Sequence, residues 1–301
     1  MTAQAEAIGA PILRCAPAAE LRGDAAAATA TPVTRWLLVE QSGPWGRDAA
    51  RSCGLSLTVA EDLLDRADVA SARLLLIRRY GRPVAGPRRW AYVDSRPGLE
   101  ASYWGSVGSD DELLRVPLDG SAGTRRPGPT YLVCTHGRHD ACCAIRGRPV
   151  AARLSALRPA ETWECSHVGG DRFAANLVLL PHGLFYGQVT ATGAAGIIEA
   201  YEERRVVPEL LRGRSTFSTP VQAAQHHARL ALGERDVDGL APRGVHRLGA
   251  ATWQVRLAAA DGPVTVTVAA EKTRPAPLTC SATRDVVATT FRLVSLTSSP
   301  S

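Results

Sequence analysis

Lysine is almost missing from this chain: Lys272 stands alone, and there is a single methionine. The net charge of +6 is therefore carried by arginine. Those arginines are scattered rather than gathered into a block of about five to eight residues, which argues against a nucleic-acid patch and leaves docking to an acidic redox partner open. No apolar run approaches the roughly 18 residues that a membrane helix needs, so no span is expected. The N-terminus has no basic segment followed by an apolar one. It reads as a disordered lead rather than a signal peptide, and the expected compartment is the cytoplasm. Also missing are a P-loop, G-x-G-x-x-G, G-x-S-x-G and H-E-x-x-H, and with them the commonest nucleotide, serine-hydrolase and zinc-protease sites. C-x-x-C is absent too, and the adjacent pair Cys142-Cys143 would form a strained disulfide at best.

Seven cysteines are present, an odd number in a chain of 301 residues that needs no staples. Clustered cysteines in a chain of this size point to metal or redox chemistry rather than to a disulfide framework. Four of them fall between Pro129 and Ala175, together with three histidines. There a β-type run, Thr130 to Val133, ends on Cys134. A polar loop leads to Cys142-Cys143, which opens an Ala/Leu/Arg helix pattern, and Cys165 and His167 follow just before the turn Gly169-Gly170. Soft ligands at a strand end, a helix start and a glycine turn can converge in space, as a metal or iron–sulfur site requires.

Along the chain, residues 1–31 read as the lead, with Cys15 incidental within it. A unit over 32–126 has a strand at Trp36, a helix from Val59, and strands at 73–80 and 89–93, with a further short strand expected at Arg115–Leu118. Residues 127–205 give strand, helix, strand, a hairpin turning at Pro181-His182-Gly183, and a closing helix, which is the thioredoxin-like plan. The first unit reads as a degenerate copy of the same plan. Residues 206–242 read as a helical segment broken by Pro208 and Pro220, 243–295 as a small antiparallel β unit, and 296–301 as a tail. The expected class is α/β: a thioredoxin-like ferredoxin domain preceded by a small α/β unit and followed by helices and a small β unit.

The strings WLLVEQSGPWGRDA, YLVCTHGRHDACCAIRGRP and WECSHVGGDRFAANLVLLPHGLFYG resemble the sucrase/ferredoxin-like family, over about Thr34 to Tyr201. The resemblance implies a thioredoxin-fold [2Fe-2S] ferredoxin that carries electrons. It also implies Cys134 and Cys143 as the two thiolate ligands and His167 as the first histidine of an H-x-x-x-H segment. The second histidine position holds Asp171, which leaves the fourth ligand open among Asp171, Cys165 and Cys142. Beside this stand a zinc-stabilised module built on the same residues, a cluster-free scaffold of the same fold, and cysteines that are merely small buried hydrophobes. No carboxylate pair suggests acid/base work on a sugar, so an electron carrier is expected rather than a hydrolase. His136, His139 and Asp140 read as a solvated loop or as outer partners of the site. Cys53 and Cys280 read as isolated thiols, and Trp45 as packing between the two units.

Overall fold

The computed structural model describes residues 13–81 and 86–298. Each half of its large sheet is built around a strand that is apolar over most of its length. Strand β1 (Arg35–Glu40) is buried from Trp36 to Val39, and β6 (Thr130–Cys134) is buried throughout. Strands without an exposed face belong in the middle of a sheet covered on both sides. The elements run α1 (Cys15–Arg22), β1, α2 (Leu57–Val69), β2 (Ala72–Arg78), β3 (Arg88–Asp94), β4 (Ala101–Val107), α3 (Asp110–Arg115) and β5 (Thr124–Arg125). They continue with β6, α4 (Ala141–Leu157), β7 (Thr162–Cys165), β8 (Leu177–Leu180), β9 (Leu184–Tyr186), α5 (Ala194–Glu202), β10 (Leu211–Arg214) and α6 (Thr219–Leu232). Four further strands close the chain: β11 (Pro242–Arg247), β12 (Thr252–Ala259), β13 (Gly262–Lys272) and β14 (Thr289–Ser298).

The large sheet has the order β10-β9-β8-β6-β7-β2-β1-β3-β4-β5. Within it β7-β6-β8-β9 is a thioredoxin-like unit, with β7 parallel to β6 and the β8–β9 hairpin antiparallel to it. The block β2-β1-β3-β4 repeats that arrangement strand for strand, with α2 as the crossover helix and α3 closing it. The degenerate copy suggested by the order of elements is thus present in the topology. The two copies join edge to edge where β2 meets β7 in antiparallel register, Ile77 opposite Cys165 and Arg78 opposite Glu164. The Arg78–Glu164 ion pair (2.7 Å) and the stacked Trp104 and Trp163 rings, 5.4 Å apart, hold this seam. One apolar cluster spans both units, from Trp36, Leu38 and Ile77 to Cys134, Trp163 and Phe185.

Four expectations need correction. Residues 13–31 are not an unstructured lead: α1 and a following strap pack onto the second unit, and Cys15, Ala16 and Ala19 are buried. Residues 1–12 of that lead lie outside the described residues. The expected strand at Arg115–Leu118 is instead the end of α3 and a turn. The segment read as helical holds a strand, β10, which extends the large sheet beside β9; its Gly213 has a positive φ that a helical pattern would not suggest. After Ser218, with Pro220 in the first turn, α6 runs to a left-handed Gly233 cap. It lays Val221, Ala224 and Ala228 against Val255, Leu257 and Val266 of the four-stranded sheet β11-β12-β13-β14. The last strand reaches Ser298, so residues 296–298 of the expected tail are strand, and residues 299–301 lie outside the described residues. Among the described residues no helix is long and apolar enough to cross a membrane.

Candidate metal centre

Asp140 begins the site. Its side chain caps α4 by accepting from the Cys142 N–H (2.8 Å), so the helix starts immediately beyond the loop that follows β6. Farther along, Gly147 lets α4 approach the end of β6: a Cβ there would lie 2.1 Å from the Cys134 carbonyl oxygen. That approach sets Cys143 beside Cys134. The third donor comes from the loop after β7. The ligand atoms of Cys134, Cys143 and His167 all lie within 4.8 Å of one another. Asp171, in a short 3₁₀ turn, completes the group: its Oδ1 is 3.2 Å from Cys143 Sγ and 3.0 Å from His167 Nδ1.

Two arginines, Arg73 half-buried and Arg212 buried, tie down the loop that carries His167 and Asp171. Arg73 of β2 donates to the His167 carbonyl (2.8 Å) and the Val168 carbonyl (3.2 Å). Arg212 of β10 donates to the Gly169 carbonyl (2.8 Å), Asn176 Oδ1 (2.7 Å) and the Thr29 carbonyl (2.6 Å). Its guanidinium passes so close to Gly170 that a Cβ at that position would meet it at 2.5 Å, and Gly170 also has φ +80°. A glycine is therefore required there on both counts. His136 supplies a third tie, since its Nδ1 accepts from the His167 N–H (3.3 Å) and its Nε2 lies 2.6 Å from the Gly46 carbonyl. An imidazole that accepts at Nδ1 must donate at Nε2, so these contacts fix one neutral tautomer. Burial also pushes the His136 pKa down.

Charge is concentrated here. The Cys143 hydrogen bond holds the Cys134 thiol well below its ordinary value despite complete burial, and His167 adds to the effect. Cys143 is pushed up in turn by Cys134, burial and Asp171. Burial works against a protonated His167, yet Asp171 and the Cys134 sulfur outweigh it and hold the imidazole at about 9. Burial likewise raises the Asp171 carboxyl, and the His167 and Cys143 contacts more than reverse it. His167 Nδ1 nonetheless remains a buried nitrogen without a hydrogen bond of good geometry. Two sulfurs, an imidazole with an unsatisfied ring nitrogen and a carboxylate are a donor set for an iron–sulfur cluster or a thiophilic metal ion.

The other candidates separate. Cys165 is opposite Cys134 in the parallel ladder but is fully buried in the core, and burial raises its thiol. It stands outside the group of converging donors. Cys142 points elsewhere: successive residues of a helix are about 100° apart, so when Cys143 faces the site its neighbour does not. Its sulfur lies with Cys15 and Cys280 instead. His139, read as part of a solvated loop or as an outer partner of the site, stacks on His167 with ring centroids 3.7 Å apart and keeps its Nε2 3.8 Å from Asp171 Oδ2. Trp45 packs its ring edge on His136 (5.9 Å) and carries Arg78 on its face (4.1 Å), joining the first unit to the site loop. Arg73 and Arg212 gave no signal in the sequence, because nothing local marks which arginines of an arginine-rich chain are buried.

The sequence profile of the family described as Sucrase/ferredoxin-like matches residues 26–213. This chain belongs to that family. The match takes in both thioredoxin-like units, β10 and the strap before β1. No curated protein matches. Two solved structures do, both cysteine-to-serine variants of the thioredoxin-like [2Fe-2S] ferredoxin from Aquifex aeolicus. They are 17% and 18% identical to this family member, cover 29% of it and 100% of their own length, and give a TM-score of 0.26. At that score the likeness carries no weight for the site, which rests on its own geometry.

Proposed function

We propose that this protein is a one-electron carrier that holds a [2Fe-2S] cluster on Cys134, Cys143, His167 and Asp171. The observation that carries the reading is the convergence of these four donors, from a strand end, a helix start and a glycine turn, in a family described as ferredoxin-like. When bound, such a cluster takes up and returns single electrons. The chain's residues keep it dry and fixed. Cys134 and Cys143 are fully buried, Arg73 and Arg212 lock the histidine loop, and Asp140 anchors the helix that brings Cys143. His167 and His139 are part-exposed and Arg138 is exposed, so the site reaches the surface along this edge. An acidic redox partner in the cytoplasm would dock there, favoured by the chain's +6 charge.

The test is anaerobic purification followed by iron analysis and a visible spectrum. Brown protein with about two irons per chain is expected. Cys134→Ser should be colourless, whereas Cys53→Ser, whose thiol bonds the Ala50 carbonyl in another cluster, should stay brown. Protein that remains colourless and iron-free after reconstitution would overturn the reading.

A second reading is favoured by the compactness of the site. A tetrahedral zinc ion holds its sulfurs about 3.8 Å apart, and the ligand atoms of Cys134, Cys143 and His167 lie within 4.8 Å of one another. Zinc at this site without visible absorbance would select it. Normal stability of a Cys134/Cys143 double variant, with neither metal bound, would select a cluster-free scaffold.

A further inference from the structure

We infer that Cys15, Cys142, Cys280 and Asp140 form a second metal site, built to take a zinc ion. Nothing in the electron-carrier reading requires it. The three sulfurs come from α1, from the first turn of α4 and from the segment between β13 and β14, yet one ligand atom from each of the four residues lies within 4.8 Å of the others. Cys142 Sγ and Cys280 Sγ are 3.5 Å apart, as are Cys280 Sγ and Cys15 Sγ. That spacing decides between two uses of paired thiols. A disulfide requires about 2.05 Å, whereas three thiolates around one tetrahedral zinc stand about 3.8 Å apart.

Asp140 is arranged as the fourth donor. It is buried, and both side-chain oxygens are already oriented, Oδ1 by the Cys142 N–H at 2.8 Å and Oδ2 by the Cys280 N–H at 2.6 Å. Each oxygen also lies 3.6 Å from Cys15 Sγ. A carboxylate has lone pairs to spare after two such bonds. Cys15 and Cys142 are buried while Cys280 is exposed, so an ion has a way in from solvent. Zinc with three thiolates and a carboxylate is an anionic centre. Arg22, Arg146 and Arg172 are all near enough to feel the charge of Cys15, and they would balance it.

The four side chains meet through weak thiol contacts, and burial followed by Asp140 pushes the Cys15 thiol upward. Binding converts those contacts to bonds. Three S–H groups release their protons to solvent, three zinc–sulfur bonds form, and no electron changes hands. The effect is to clamp α1 and the C-terminal β unit onto the turn that also presents Cys143. The site is structural, because a closed set of four protein donors leaves no position for a substrate.

The test uses the full chain, purified anaerobically under reductant, incubated with Zn²⁺ and freed of loose metal before elemental analysis. Wild-type protein should retain about one zinc per chain more than Cys280→Ser. Cys280 is exposed, so that variant is expected to fold, and circular dichroism checks this. In Co²⁺-loaded protein the same substitution should reduce the sulfur-to-cobalt charge-transfer band. Cys134→Ser should keep this zinc while losing whatever metal the first site holds, so the two assignments fail separately. Equal zinc in wild type and a folded Cys280→Ser would overturn the inference. So would a disulfide between any two of the three thiols in protein kept under reductant, seen as a mass lower by two hydrogens.

Discussion

Cys142 and Cys143 share a peptide bond and serve different clusters: Cys143 Sγ contacts Asp171 Oδ1 at 3.2 Å, while Cys142 Sγ lies 3.5 Å from Cys280 Sγ. The first turn of α4, capped by Asp140, separates the two side chains by the helical rotation of about 100° per residue. Substituting each in turn should therefore give distinct phenotypes. Cys143→Ser should remove the visible absorbance of anaerobically prepared protein. Cys142→Ser should leave that spectrum in place and lower the zinc content. Absorbance spectra and elemental analysis of the two variants, side by side, check the division.

Gly147 should be intolerant of alanine, against the usual trend. In a helix interior, alanine is ordinarily better than glycine by about 0.5–1 kcal/mol. Here the added Cβ would fall 2.1 Å from the Cys134 carbonyl oxygen, and that is backbone belonging to a proposed ligand. Gly147→Ala should lose about 1–3 kcal/mol in urea unfolding, as overpacked sites do. Its metal content should fall as well, because relief of the clash moves α4 away from β6. Unfolding midpoints and iron analysis of the same preparation measure both.

The family resemblance read from the sequence implies a second histidine at the position that Asp171 occupies. Replacing a neutral imidazole by a carboxylate adds negative charge to a bound cluster, and more negative clusters are harder to reduce. Asp171→His should consequently raise the midpoint potential in a redox titration followed by electron paramagnetic resonance. An unchanged or lowered potential in a variant with full iron content would remove Asp171 from the ligand set.

His182 should make stability fall in mild acid. Its Nδ1 is 2.5 Å from the Tyr201 hydroxyl, and burial, then the charge of Arg214, pushes its pKa down to about 4 even with Asp238 and Glu100 nearby. An unfolded histidine takes up its proton near pH ~6.5. Between those values the unfolded chain binds more protons than the folded one, so this contribution is complete above ~6.5 and is lost as pH falls toward 4, by up to about 3 kcal/mol. Denaturant midpoints of wild type and His182→Gln, compared from pH 7 to 4, should converge or cross as acid is added, because the variant lacks this titration.

Much of the fold was legible in the chain itself. Uninterrupted apolar strands such as Trp36 to Val39 and Thr130 to Val133 announce buried central strands, and the Pro181-His182-Gly183 turn announces its hairpin. Period and turn chemistry are local properties, and local properties survive in a one-dimensional reading. The candidate site was legible for a related reason: Cys134, Cys143, His167 and Asp171, the residues proposed to hold the cluster, all lie within one β-α-β unit and the turn that follows it. What the sequence could not rank was the fourth donor, because that depends on which side of a helix start or strand end each side chain faces.

Only the tertiary structure decided the rest. Cys15 and Cys280 are 265 positions apart and each looks incidental in its own neighbourhood, yet their sulfurs lie 3.5 Å from each other. Likewise Arg73 of β2 and Arg212 of the edge strand β10 meet on one loop. Contacts of that kind are set by how whole elements pack, and packing is a property of the folded chain that no local pattern encodes.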